Sequence, residues 1–179
     1  MSSVDFLTVG HGPGLVVIPG STRRAHHYRA IAEALSDAYT VHVVERRGRG
    51  ASPPQGPGYG LEQEVTDAIE VLDETGSAQI FGHSFGGLVA LHVGLRRELD
   101  RLIAYEPGVS IAGSFPSGWM ARFEPTRLLG GGRSPACLQE VLPVLAATIP
   151  YAKLVMTPEM DRNAPDLAAP AEVARLIRA

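Results

Sequence analysis

The pentapeptide Gly82-His83-Ser84-Phe85-Gly86 limits what this chain can fold into more than any other stretch. A G-x-S-x-G turn sets its serine on a strained corner between a strand and a helix. Its glycines fall where a Cβ would strike a neighbouring element, so the hydroxyl stands clear of the sheet edge. Such a turn requires a strand before it and a helix after it. Gln79-Ile80-Phe81 supplies a buried strand, and Gly87-Leu88-Val89-Ala90-Leu91-His92-Val93 an apolar helical run. Because the helix begins at the serine, its free N–H groups and positive dipole end face any anion formed there.

The rest of the chain alternates in kind. Val4 to Val9 reads as a weak strand, and Leu15-Val16-Val17-Ile18 is a continuous apolar run, as expected of a strand covered on both faces. Pro19-Gly20-Ser21-Thr22 breaks that run, and Arg24 to Leu35 has helical spacing. Tyr39 to Val44 is the next strand, Pro53 to Gly60 a surface loop, and Leu61 to Asp73 a helix with Val65, Ile69 and Leu72 on one face. Beyond the elbow, strands are expected at Leu102 to Tyr105, Pro125 to Leu129 and Ala152 to Met156. Helices are expected at Pro135 to Ile149 and Ala171 to Arg178. Strands alternating with helices predict one three-layer α/β domain over residues 1–179 with a mainly parallel sheet, since parallel neighbours need a crossover.

Three landmarks in this order resemble the α/β-hydrolase superfamily: Ile18-Pro19-Gly20-Ser21, Glu45-Arg46-Arg47-Gly48-Arg49-Gly50-Ala51-Ser52 and the serine elbow. The second is similar to the family's D-x-R-G-x-G-x-S segment. The resemblance implies that Ser84 is a nucleophile and that the backbone N–H groups of Phe85 and Ser21 form an oxyanion hole. The chemistry implied is attack on a small ester, lactone or thioester.

The family's acid and base are missing from their usual places. No histidine follows His92, and the position expected for one falls on Arg162 or Asn163. The usual acid site reads Gly130-Gly131-Gly132-Arg133-Ser134, without a carboxylate, and Asp161 and Asp166 in the tail read as loop or cap residues. Three readings stay open. The triad is rebuilt from Glu106, just past the strand after the elbow, with His26 or His27 as base; or the pocket performs elimination, cyclisation, proton transfer or slow ester hydrolysis by polarisation alone; or the chain binds a ligand without turnover. Structural roles are expected for His11, His42, His83 and His92, with the His83 side chain packed beside its strand.

Only about twenty residues separate the strand ending at Tyr105 from the next, so a full lid is not expected. Phe115, Trp119 and Met120 in that interval could line an apolar substrate site, or a second subunit could cover it as a homodimer. The net charge of -3 gives no case for nucleic acid or an anionic membrane surface, and no run of eighteen apolar residues occurs, so a small-molecule substrate is the expected partner. The Met1-Ser2-Ser3-Val4-Asp5 start lacks the pattern of a signal peptide, which points to the cytoplasm. The single Cys137 reads as a small core residue. No histidines have metal-ligand spacing with a third partner, and the glycine-rich stretches lack a phosphate-loop lysine and a dinucleotide fingerprint, so neither metal nor cofactor is expected.

Overall fold

The computed structural model describes residues 4–109 and 126–179. Among them, seven strands form one sheet: β1 (Phe6–Gly10), β2 (Gly14–Ile18), β3 (Thr40–Val44), β4 (Gln79–His83), β5 (Arg101–Tyr105), β6 (Thr126–Gly131) and β7 (Lys153–Thr157). Their spatial order is β1-β3-β2-β4-β5-β6-β7. All neighbours run parallel except β1 against β3. The helices are α1 (Arg29–Leu35), α2 (Leu61–Thr75), α3 (Phe85–Gly94), α4 (Ala136–Thr148) and α5 (Pro170–Arg178).

Period-two alternation explains the continuous apolar strands. Val16 and Ile18 of β2 join Ile80, Leu102 and Leu128 on one face, against α2, α3 and α4. Leu15 and Val17 join Phe81, Ile103 and Leu129 on the other, where α1 and α5 contribute Ile31, Leu35, Val173 and Ile177. A fully buried side chain of this size contributes about 1.5–3 kcal/mol, so a sheet covered on both sides holds the strand ends rigidly in register. That rigidity fixes the loops at the strands' C-terminal ends.

Several boundaries differ from the sequence expectation. The helix expected from Arg24 is a tight 3₁₀ turn, Ala25–Tyr28, followed by α1. The tail loop contains a π-helical turn, Ala164–Ala168, before α5. Cys137 is exposed rather than in the core: α4 buries Val141, Leu142 and Leu145, all beyond its first turn, where Cys137 lies. Twenty residues, 106–125, connect β5 to β6, too few for a lid of several helices. Phe115, Trp119 and Met120 belong to this connection and lie outside the described residues. No helix among the described residues is long and apolar enough to cross a membrane.

Candidate active site

Ser84 joins β4 to α3 with φ 54° and ψ -118°, a conformation that a non-glycine residue holds only when its surroundings impose it. The imposition comes from close backbone packing. A Cβ on Gly82 would stand 2.2 Å from Gly86 O, and one on Gly86 would stand 2.1 Å from Ile18 O at the end of β2. The elbow therefore presses directly on the turn that follows β2. Gly20 of that turn lies beside the serine, where its own Cβ would be 3.6 Å from Ser84 Cβ.

The two candidate oxyanion donors are each aimed by the other end of their own peptide. A trans peptide points its C=O and N–H in opposite directions, so fixing one directs the other. Ser84 O accepts from the N–H groups of Gly87 (2.8 Å), Gly108 (2.9 Å) and Leu88 (3.2 Å), which turns the Phe85 N–H away from the helix body. Gly20 O accepts from Arg23 N–H at 3.1 Å and from Arg46 Nη2 at 3.3 Å, which directs the Ser21 N–H the opposite way. Arg46 Nη2 also donates to Ser21 O at 2.9 Å. Among the described residues, neither the Phe85 nor the Ser21 N–H has a backbone acceptor.

Arg46 itself is held from below. Its Nη1 donates to Glu64 of α2 at 3.2 Å in an ion pair whose side chains are 2% and 3% exposed, and its guanidinium lies 4.8 Å from the centre of the Phe85 ring. The neighbouring Arg47 forks onto Asp67 at 2.7 and 2.9 Å, locking the same helix to the loop after β3. Sequence reading finds this segment as a motif but not the role of Arg46, because Gly20, Ser21 and Glu64 are remote in the chain.

A buried hydrogen-bond chain ties the elbow to the tail. Gly20 N–H donates to Tyr28 Oη (3.0 Å), which stands 2.6 Å from His83 Nδ1, while His83 Nε2 stands 2.7 Å from Arg162 O. A carbonyl only accepts, so Nε2 carries the proton and Nδ1 accepts from Tyr28. Burial pushes the His83 pKa down to about 4, and the imidazole is neutral near neutrality. With both nitrogens engaged, His83 is a strut and not a base. Unfolded, the ring takes a proton below its ordinary pKa of 6.5; folded, it resists until about 4. Its contribution therefore erodes stability as pH falls through that window, by about 3 kcal/mol in full. Chemical denaturation of His83→Gln between pH 4 and 6.5 is expected to show a pH slope shallower by up to one proton; an unchanged slope removes this role.

The tail loop is pinned at two further points. Tyr105 Oη donates to Asp161 O at 2.7 Å, and Arg23 donates to Asn163 Oδ1 at 3.4 Å while pairing with the buried Asp166. The effect is to place Arg162, one of the two positions expected for a histidine, at Ser84. Its Nη2 donates to Ser84 Oγ at 3.5 Å.

The other expected residues lie as follows. Glu106 is buried at φ 43°; its Oε1 accepts from Gly131 N–H at 2.8 Å and from the Ser134 hydroxyl, and Oε2 has no hydrogen-bond partner among the described residues. Burial, more than any neighbouring charge, pushes its pKa up. His27 Nδ1 accepts from Arg24 N–H at 3.0 Å, so its neutral ring carries the proton on Nε2, and burial followed by His26 lowers its pKa. His26 is exposed, with its ring centroid 4.0 Å from that of His27. The hydrogen bonds of Glu106 and His27 thus go to main-chain donors and Ser134, while Arg162 is the hydrogen-bond partner of Ser84 Oγ among the described residues. No three His, Cys, Asp or Glu side chains among those residues form a group able to hold a metal ion.

A strained serine at the end of the central strand, pressed against the main-chain turn after β2 in a sheet of this order, defines the α/β-hydrolase class. The chain belongs to the alpha/beta hydrolase family, which it matches over residues 15–179. It is similar to the soluble epoxide hydrolase of a Corynebacterium species, 30% identical over 63% of this chain and 42% of the relative. It is also similar to a pimeloyl-[acyl-carrier protein] methyl ester esterase of Chromobacterium violaceum, 34% identical over 48% of this chain and 32% of the relative. The chain thus spans less than half the length of these relatives. In fold it is similar to a solved alpha/beta hydrolase of Sphaerobacter thermophilus, with a TM-score of 0.84 at 22% identity, covering 97% of this chain and 94% of the other.

Proposed function

We propose that this protein hydrolyses a small ester, lactone or thioester, with Ser84 as nucleophile and the N–H groups of Phe85 and Ser21 as oxyanion hole. The observation that carries this reading is the strained Ser84 backbone beside two N–H groups whose partner carbonyls are pinned. Donors fixed before reaction cost no reorganisation when the carbonyl oxygen becomes an oxyanion, and each accounts for about 10²–10³ in rate. In this mechanism Ser84 Oγ bonds to the carbonyl carbon and its proton passes to water; the carbon–oxygen or carbon–sulfur bond then breaks, and water returns a proton to the departing alkoxide or thiolate. Water then releases the acid from the acyl-serine. Without a histidine in the usual place, the hole and binding alone set the rate, about 10³–10⁴ above the uncatalysed reaction. His26 or His27, with Glu106, are the candidates for a rebuilt base and acid if turnover is faster.

A second reading has its own support. The group bonded to Ser84 Oγ is a guanidinium, which cannot take a proton. A non-hydrolytic enzyme or ligand-binding protein would use Ser84 as a hydrogen-bond donor. A fluorophosphonate probe separates the two. Labelling of the folded protein that disappears in Ser84→Ala is expected; folded protein that neither labels at Ser84 nor turns over 4-nitrophenyl acetate moves the assignment to the second reading.

A further inference from the structure

Three donors belong to the corner at Ser84 or to the segments beside it: the Phe85 N–H, the Ser21 N–H next to Gly20, and the Arg162 guanidinium. The nearby cations are not equivalent. Arg23 pairs with Asp166, Arg24 with Glu45, Arg46 with Glu64 and Arg47 with Asp67. Arg162 and Arg49 have no ion-pair partner among the described residues. Arg49 donates to Ser21 O, on the loop of the candidate hole, and to Arg47 O on its own loop. Glu106, whose carboxyl feels the Arg162 charge, has turned one oxygen to Gly131 N–H and the Ser134 hydroxyl and lies buried.

The position of Arg162 is built rather than incidental. Its carbonyl is held by His83 Nε2, and the residues on either side are held by Tyr105 Oη and Arg23. An exposed guanidinium carried on a held backbone, with no acid partner among the described residues and beside two candidate N–H donors, is complementary to a ligand rich in acceptors and carrying negative charge.

We infer that the ligand of this site carries a carboxylate close to its reacting carbonyl, and that Arg162 recognises it. The inference rests on the reading of Ser84 as the reacting group. It also gives a scale. Arg162 Nη2 stands 3.5 Å from Ser84 Oγ. A charge-assisted hydrogen bond adds about 2.8 Å, so a carboxylate oxygen lies within roughly 6 Å of Ser84 Oγ, which a succinyl or glutaryl chain can span. Acyl groups of that kind, as half-esters or half-thioesters of a dicarboxylic acid, are the substrate class that follows.

The test uses binding, so that slow chemistry does not obscure it. Monomethyl glutarate and the uncharged methyl pentanoate are titrated calorimetrically into Ser84→Ala protein and into Ser84→Ala carrying either Arg162→Met or Arg162→Lys. The half-ester is expected to bind at least tenfold tighter than the neutral ester. That preference should shrink with added salt, disappear with Arg162→Met and survive in part with Arg162→Lys. Arg162 is exposed, so circular dichroism should show all variants folded. Equal affinity for the two esters, or a preference indifferent to Arg162→Met, overturns the inference. Serine-dependent fluorophosphonate labelling together with no anion preference removes this inference alone. Anion binding through Arg162 with no Ser84-dependent labelling or turnover removes the hydrolase reading and leaves the anion site.

Discussion

Replacing Arg46 with methionine is expected to destabilise the protein by about 3–5 kcal/mol, the cost of leaving one member of a buried ion pair without its partner. Glu64 would be stranded at 3% side-chain exposure, with the Tyr59 hydroxyl as its remaining hydrogen-bond partner among the described residues. Desolvation, set against the opposing pull of Glu64, already lowers the Arg46 pKa, which shows how far the pair depends on mutual compensation. Urea denaturation measures the loss. Arg46→Met with Glu64→Leu should recover most of it, because an apolar pair of similar volume carries no desolvation penalty. A double variant as unstable as Arg46→Met alone would show that the ion pair is not the cause. Function should not return with stability. Gly20 O and Ser21 O lose their Arg46 donor in both variants, the Ser21 N–H is held only by the Arg23 N–H bond to Gly20 O and the Arg49 bond to Ser21 O, and Ser84-dependent turnover is expected to stay lower, by up to about 10²–10³.

Gly86→Ala is the second large effect, and it acts through space alone. The new Cβ would stand 2.1 Å from Ile18 O and 2.8 Å from Pro19 O, and both neighbours are backbone that cannot rotate aside. Either α3 moves off β2 or the β2 end shifts, at a cost of about 1–3 kcal/mol or more. Both movements separate Ser84 from the Gly20 turn. Fluorophosphonate labelling, corrected for the folded fraction, should therefore fall further than thermal stability alone would predict. Gly60→Ala serves as control, since a Cβ there meets nothing within 4 Å and φ is -170°. Labelling by Gly86→Ala as rapid as that of the control would mean that the close approach does not set the serine's position.

These expectations draw unequally on sequence and structure. The α/β alternation, the parallel sheet and the elbow were legible because each leaves a local mark: a four-residue apolar run for a strand covered on both faces, 3.6-residue spacing for α2, and glycines flanking Ser84. Tyr28 shows the limit of such marks. Its spacing to Ile31 and Leu35 reads as one more core aromatic, while its hydroxyl links Gly20 to His83, the latter fifty-five positions beyond Tyr28 itself. Arg46 is similar: a second arginine in a motif whose better-known arginine is the next residue. The placement of Cys137 failed for the opposite reason, because composition favours burial but the helix turns that residue outward.

What the sequence by itself determined is the scaffold and the corner on which a serine is presented, since local periodicity and glycine sterics act over a few residues and need no partner. Only the tertiary structure decided that an arginine, and neither Glu106 nor a histidine of the 26–27 pair, meets the Ser84 hydroxyl among the described residues. The physical reason is that hydrogen bonds and ion pairs are chosen by proximity in space. The residues that aim Ser21, hold the tail loop and charge the site lie on five separate segments, brought within 3.5 Å of one another only when the sheet is assembled.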